Sequence, residues 1–253
     1  MSTTALIVLI VVFFLTAVVG VVTGSNSLIA VPMMFQFGFA DGNGPRMAVA
    51  TNMFALVFMA AGGAIPFIRQ KRVNYSKVWP LVLLTVVSSA IGAALVGIIS
   101  GDGIKLIVTI GMIAVAVFTF WRRNAGLEPG EHHSWTTPLT YALVFALGIY
   151  GGLFSGGYVT VLTVVCVAIA GMTYGEAIAS TKVINVFSSG IATIVFMWQG
   201  LVDYRLGLIL GITMFAGAFV GAHYATKLND IWLRRVFLTT ILLLALKTIY
   251  DLV

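Results

Sequence analysis

Charge is what this chain has least of. Only 9% of its 253 residues are Asp, Glu, Lys or Arg, while 60% are apolar. A globular domain carries about a quarter charged and about half apolar residues. Mean hydropathy is +1.08. That much apolar side chain is more than a water-facing surface can hide. It excludes a soluble enzyme, a nucleic-acid-binding protein and a disordered chain, and leaves a polytopic helical membrane protein built as one domain. Cysteine is nearly absent too. Cys166, alone in an apolar run, forms no intrachain disulfide and reads as a small buried hydrophobe. No Lys or Arg precedes the first apolar run, so the N-terminus does not read as a cleaved signal peptide and the run is expected to be retained. Neither G-x-x-x-x-G-K-[ST] nor H-E-x-x-H occurs, so ATP hydrolysis and zinc proteolysis are unsupported.

What is present is a series of long apolar runs. A crossing needs about 20 predominantly apolar residues. Full-length candidates are 47–68, 78–99, 103–121, 174–197, 204–225 and 231–250. Two regions do not fit: 5–40 is interrupted by Thr23-Gly24-Ser25-Asn26-Ser27, and 139–171 by Ser155-Gly156-Gly157. Each reads as two short apolar pieces around a small polar break. Residues 122–137, the one hydrophilic stretch, read as a loop. The two sides of that loop repeat at a shift of 129: Ala48 falls on Ala177, Ala50 on Ala179, Val57 on Val186, Phe58 on Phe187, Ile65 on Ile194 and Phe67 on Phe196. Gln70 falls on Gln199, Val73 on Val202, Tyr75 on Tyr204, Leu81 on Leu210, Gly92 on Gly221 and Ala93 on Ala222. A duplication with an interrupted segment in each half points to a secondary-transporter fold.

The net charge of +6 comes from basic residues in the gaps between apolar runs, which orients a membrane chain. If the interrupted regions cross once each, those Lys and Arg divide eight to five; if they fold back on themselves, nine to four. The second division is the stronger positive-inside bias. It places Arg69–Lys77 in the cytoplasm and its mate 198–206 outside, so the halves are expected to be inverted, with both termini outside. Trp79, Trp121, Trp198 and Trp232 fall at segment ends, as an aromatic belt requires. Glycine pairs at four-residue spacing (Gly20 and Gly24, Gly148 and Gly152, Gly207 and Gly211, Gly217 and Gly221) read as helix packing.

Two features carry the chemistry. Bare backbone at membrane depth survives only inside protein or beside a wet cavity. Short helices starting at the breaks aim positive ends at that cavity, which suits an anion. Ser25, Asn26, Ser27, Ser155 and Tyr158 add polar side chains, and Gly156 and Gly157 let a ligand approach the backbone; a Gly/Ser kink is the competing account. The second feature is Lys182, about eight residues inside the run 174–197, while every Asp and Glu lies in a loop or near a segment end. A lone charge at mid-bilayer costs on the order of 3 kcal/mol by insertion scales. Snorkelling to the interface competes with a role as counter-charge for an anionic substrate. Asn185 lies on nearly the same helix face. Thr181, and Thr51 and Asn52 from the other half, offer neutral polar groups; ordinary interhelix hydrogen bonds are their alternative. His132-His133 is a weak metal signal, and no metal, cofactor or catalytic residue is assigned.

Residues 176–185 (EAIASTKVIN), 200–207 (GLVDYRLG) and 217–222 (GAFVGA), with 20–32 (GVVTGSNSLIAVP) in the first half, resemble the TauE/SafE sulfite exporter family over essentially the whole chain. The usual triple glycine is replaced by Ser25-Asn26-Ser27 and Ser155-Gly156-Gly157, and Leu162 stands where the second break would have its proline. The resemblance implies a multi-pass permease of a prokaryotic cytoplasmic membrane for sulfite, thiosulfate or an organosulfonate. The expectation is therefore an all-α polytopic protein: a first half 1–121, a connecting loop 122–138 and a second half 139–253. Each half has a broken or re-entrant first segment followed by three transmembrane helices. The chain would bind a small anion at midplane and export it by alternating access. Its partners would be that anion and the lipid bilayer, with a homo-oligomer left open. An anion channel and a non-transporting membrane assembly subunit are the alternatives.

Overall fold

A computed structural model describes residues 2–24, 26–121, 136–229, 231–233, 235 and 239. Ser25, most of the central loop and most of the expected last span (231–250) lie outside the described residues. Among those described there is no strand, and nine helices follow one another: α1 Thr3–Thr23, α2 Ser27–Gln36, α3 Gly44–Arg69, α4 Tyr75–Val96, α5 Gly101–Trp121, α6 Thr136–Leu153, α7 Tyr158–Ala168, α8 Tyr174–Trp198 and α9 Tyr204–Ala225. Five of them (α1, α3, α4, α8 and α9) are long and apolar enough to cross a membrane.

Local chemistry sets the ends. Ser2 accepts the Ala5 N–H at the start of α1, and Asp203 accepts that of Leu206 at the start of α9. Thr173 and Glu176 form a reciprocal capping box on α8. Alternate faces of each span then divide. On α1, Leu9, Phe13 and Ala17 are buried while Ile7, Val11, Leu15 and Val19 are exposed. On α4, Leu83, Val87 and Ile91 face outward, and on α9 Leu208, Ile212 and Val220. Apolar stripes on the outside suit lipid, not water.

Glycines set the helix pairs. Cβ atoms added at Gly217 and Gly221 of α9 would strike the carbonyls of Phe14 and Val18 on α1. Asp203, Gly207, Gly211 and Phe215 meet Thr51, Phe54, Phe58 and Gly62 of α3 in turn, ascending along both chain segments, so α1, α3 and α9 run parallel. Gly148 and Gly152 of α6 sit against Ser88 and Ser89 of α4, and Gln199, just past α8, donates to the Ala93 and Ala94 carbonyls near the end of α4. Hence α4, α6 and α8 also run parallel to one another. Since α1 and α3 point the same way, α2 between them carries the chain back, and α7 does the same between α6 and α8. These returning helices have 10 and 11 residues, about 15 Å each, half of a bilayer core.

Two expectations need correction. The pieces before the breaks are not short: α1 has 21 residues and α6 has 18. Hydropathy counted the polar break as the middle of one region, whereas the chain nearly crosses before it turns. Helix α6 also starts at Thr136, inside the stretch read as loop, because Pro138 in a first turn forfeits an N–H that has no helical partner there.

Candidate functional site

The first break is a helix end built on Gly24. Its φ of 74° is left-handed, which a glycine adopts without strain, and its N–H closes on the Gly20 carbonyl at 2.7 Å. The second break starts α7 from Gly157 at φ 75°. Chain positions more than a hundred apart then meet. The Ser27 and Ser155 hydroxyls are hydrogen-bonded at 2.7 Å, and Asn52 Nδ2 of α3 donates to Ser27 Oγ at 2.9 Å. Thr160 donates to the Thr23 carbonyl at 2.6 Å, tying the end of α1 to the first turn of α7. The two breaks therefore form one junction, and the N-termini of α2 and α7, the positive ends of their dipoles, both belong to it.

Beside this junction lies a cavity lined by Gly20, Gly24, Asn26, Ser27, Leu56, Met59, Ala60, Ser155, Val159, Lys182 and Asn185. Its volume is about 10 Å³, at the lower bound of the ~10–15 Å³ that one water requires. Lys182 is 3% exposed. Among the described residues it has no ion pair and no hydrogen bond. It stands eight residues into α8, about 12 Å along the axis. Its stem passes Gly63 of α3, where an added Cβ would make ordinary contact with Lys182 Cδ at 3.7 Å but would strike Val21 Cγ2 at 2.6 Å. Asn26 is 3% exposed, and both of its amide atoms lack a partner among the described residues. A buried amide is normally satisfied, so a polar pair is held open at the cavity wall.

Of the residues singled out from sequence, five line the cavity together: Asn26, Ser27, Ser155, Lys182 and Asn185. Asn52 stands one hydrogen bond behind, and its Oδ1 has no partner among the described residues. The rest are elsewhere. Thr51 accepts the Asp203 N–H at 3.0 Å, which joins α3 to the start of α9. Thr181 donates to the Ile178 carbonyl and lies 3.4 Å from the Thr163 hydroxyl. Tyr158 is fully buried with its ring over Gly151, and Gly156 gives its carbonyl to the Tyr150 hydroxyl at 2.6 Å. Gly156 and Gly157 thus shape the second break without lining the cavity. Ser25 and the pair His132-His133 lie outside the described residues. Sequence reasoning missed the apolar wall of Leu56, Met59, Ala60 and Val159, whose residues look like any other core. It also read Gly20 and Gly24 as packing only, though both line the cavity. The Ser89–Ser188 hydroxyl pair at 2.6 Å, between α4 and α8, was equally silent.

The family model described as "Sulfite exporter TauE/SafE" matches residues 9–248. A probable membrane transporter protein, ORF9, of a Sinorhizobium species is 27% identical over 240 residues, covering 94% of this chain and 90% of its own. A probable membrane transporter protein of Haemophilus influenzae is 24% identical and covers 97% and 95%. Another from Escherichia coli K12, YfcA, is 24% identical and covers 95% and 89%. No solved structure matches.

Proposed function

The chain belongs to the sulfite exporter TauE/SafE family, and we propose that this membrane transporter moves a small sulfur-containing anion, such as sulfite, thiosulfate or an organosulfonate, across the cytoplasmic membrane. The observation that carries the reading is Lys182: 3% exposed, unpaired among the described residues, and at a cavity where both chain breaks meet. Burying an ammonium without a partner is costly. A bound anion removes that cost, and Asn26, Ser27, Ser155 and Asn185 supply neutral donors around it. The wall of Leu56, Met59, Ala60 and Val159 suits the apolar end of an organosulfonate or the soft sulfur of thiosulfate.

The cavity is too small for such an anion, so loading requires the helices around it to part. What supports alternating access is the direction of packed helices. Consecutive spans joined by short loops cross in opposite senses, so the set α1, α3, α9 opposes the set α4, α6, α8. Two halves, 1–121 and 139–253, related by inversion would produce this pairing, with α4 packed on the second half and its repeat mate α9 packed on the first. With the cytoplasm negative and the loop Arg69–Lys77 inside, a monovalent anion leaving gains about 2.3 kcal/mol per 100 mV, which favours export.

Flux of radiolabelled sulfite or methanesulfonate in proteoliposomes tests the reading. Replacing Lys182 with Met, the residue at its mate Met53, is expected to lower flux at least ~100-fold in a folded protein, since it removes the one charged side chain that lines the cavity among the described residues. Flux unchanged by Lys182→Met would overturn the assignment. Unitary conductance steps in a planar bilayer would replace the carrier with a channel.

A further inference from the structure

A second cavity, open to the surface and far larger at about 670 Å³, lies where α3 ends, α8 begins and the chain leaves α9. Its wall includes Lys71, Arg72, Asn74, Thr173, Glu176 and Asn229. Glu176 turns its carboxylate back onto the Thr173 N–H within the capping box. Arg72 donates to the Thr226 and Leu228 carbonyls at 3.1 and 3.4 Å, which anchors it over the end of α9. Gly175, on the same wall, is seven residues before Lys182 on α8. Seven residues are two turns on one face, about 10 Å, so the large cavity stands outside the small one along a single helix.

Lys71 is the anomaly. Its φ is 54°, the only positive φ at a non-glycine residue among those described. The turn that imposes it occurs twice. After α3, the N–H groups of Gln70, Lys71 and Arg72 close on the carbonyls of Pro66, Ile68 and Phe67; after α8, those of Gln199, Gly200 and Leu201 close on Val195, Met197 and Phe196. These are the same bonds at a shift of 129. At the second turn the left-handed position is Gly200, φ 68°, with open space around it. That is the residue such a helix end prefers. At the first turn a lysine occupies the strained position and lines the open cavity. A backbone outlier kept at a cavity wall points to a role for the side chain.

We infer that the open cavity is the anion-gathering mouth of the Lys182 site and that Lys71 is its recruiting cation, raising the local concentration of small sulfonates and sulfite. The inference rests on the transport reading above, but its electrostatic half can be tested without it. In zwitterionic vesicles, Lys71→Gly is expected to melt at or above wild type, because the turn loses its strained residue. It should also cut flux at subsaturating sulfonate about 3-fold or more with the maximal rate unchanged. The deficit should shrink at 1 M salt, where the Debye length is about 3 Å, and Lys71→Arg should restore flux. Independently, a Tyr75→Cys variant reports the cavity's charge through its reaction rates with anionic and cationic methanethiosulfonates; the native Cys166 is buried and silent. Adding Lys71→Gly should lower the anionic-to-cationic rate ratio about 3-fold or more at low salt. If Lys71→Gly leaves that ratio unchanged, the mouth does not gather anions and the inference fails, whether or not Lys182 binds substrate. If wild type shows no flux but the ratio falls, the recruiting cavity stands and the transport reading fails instead.

Discussion

The residues at the junction are unequal in what they hold. Among the described residues the Ser27 hydroxyl takes part in two hydrogen bonds, one with Asn52 and one with Ser155, whereas the Ser155 hydroxyl has only the bond to Ser27. Ser27→Ala therefore strands an amide donor and a hydroxyl inside the protein, while Ser155→Ala leaves the Asn52–Ser27 bond in place. The expected loss for Ser27→Ala is about 1–3 kcal/mol, with a smaller one for Ser155→Ala. Unfolding of the detergent-solubilised protein checks the order, and equal losses would mean that the Asn52 bond contributes nothing. Lys182 was readable in the sequence because it alone among the charged residues lay far from a segment end. Thr51, Thr181 and Tyr158 were equally conspicuous as polar groups in apolar runs. Their contacts with other segments (the Asp203 amide, Thr163 and Gly151) are announced by no spacing within their own.

At the scale of the helix, small residues decide which pairs approach. Gly92 of α4 has no room for a methyl: an added Cβ would overlap the Ile149 carbonyl of α6, a backbone atom that cannot swing aside. Gly190 of α8 has nothing within 4 Å of the same point. Gly92→Ala is expected to cost about 1–3 kcal/mol by forcing α4 from α6. Gly190→Ala should be neutral or stabilise by up to ~1 kcal/mol through helix propensity. A thermal-unfolding comparison of the two variants decides the point, and a Gly92→Ala protein as stable as wild type would refute the packing. Hydropathy found α3, α4, α5, α8 and α9 within a few residues, since a span's length is fixed by the bilayer and its composition by lipid. It read the piece before the first break as short, although 5–22 is a nearly unbroken apolar run and α1 ends, after 21 residues, at the left-handed Gly24 where the polar break begins.

On the scale of the whole molecule, two half-length helices meet at their N-termini inside a frame of parallel trios, and a single ammonium lies beside the meeting point. Matching residues at a shift of 129 were legible, as were the two breaks. Their contact through Ser27 and Ser155 was not, because a one-dimensional repeat does not say that its copies touch. The turn that holds Lys71 at positive φ was hidden for a similar reason: its strain shows only against the Gly200 copy and the hydrogen bonds of both. The central claim is that Lys182 is left unpaired in order to receive an anion. Its most direct test is the thermal midpoint of the purified protein with and without saturating sulfite, thiosulfate or methanesulfonate, measured for wild type and Lys182→Met. A ligand that binds only the folded state raises the midpoint, while replacing an unpaired buried charge with an apolar side chain relieves its burial cost. The account predicts a Lys182→Met protein at least as stable as wild type without ligand and unmoved by any of the three anions, against a clear upward shift in wild type for at least one of them. A Lys182→Met protein that shifts as far as wild type with the same anion would contradict it.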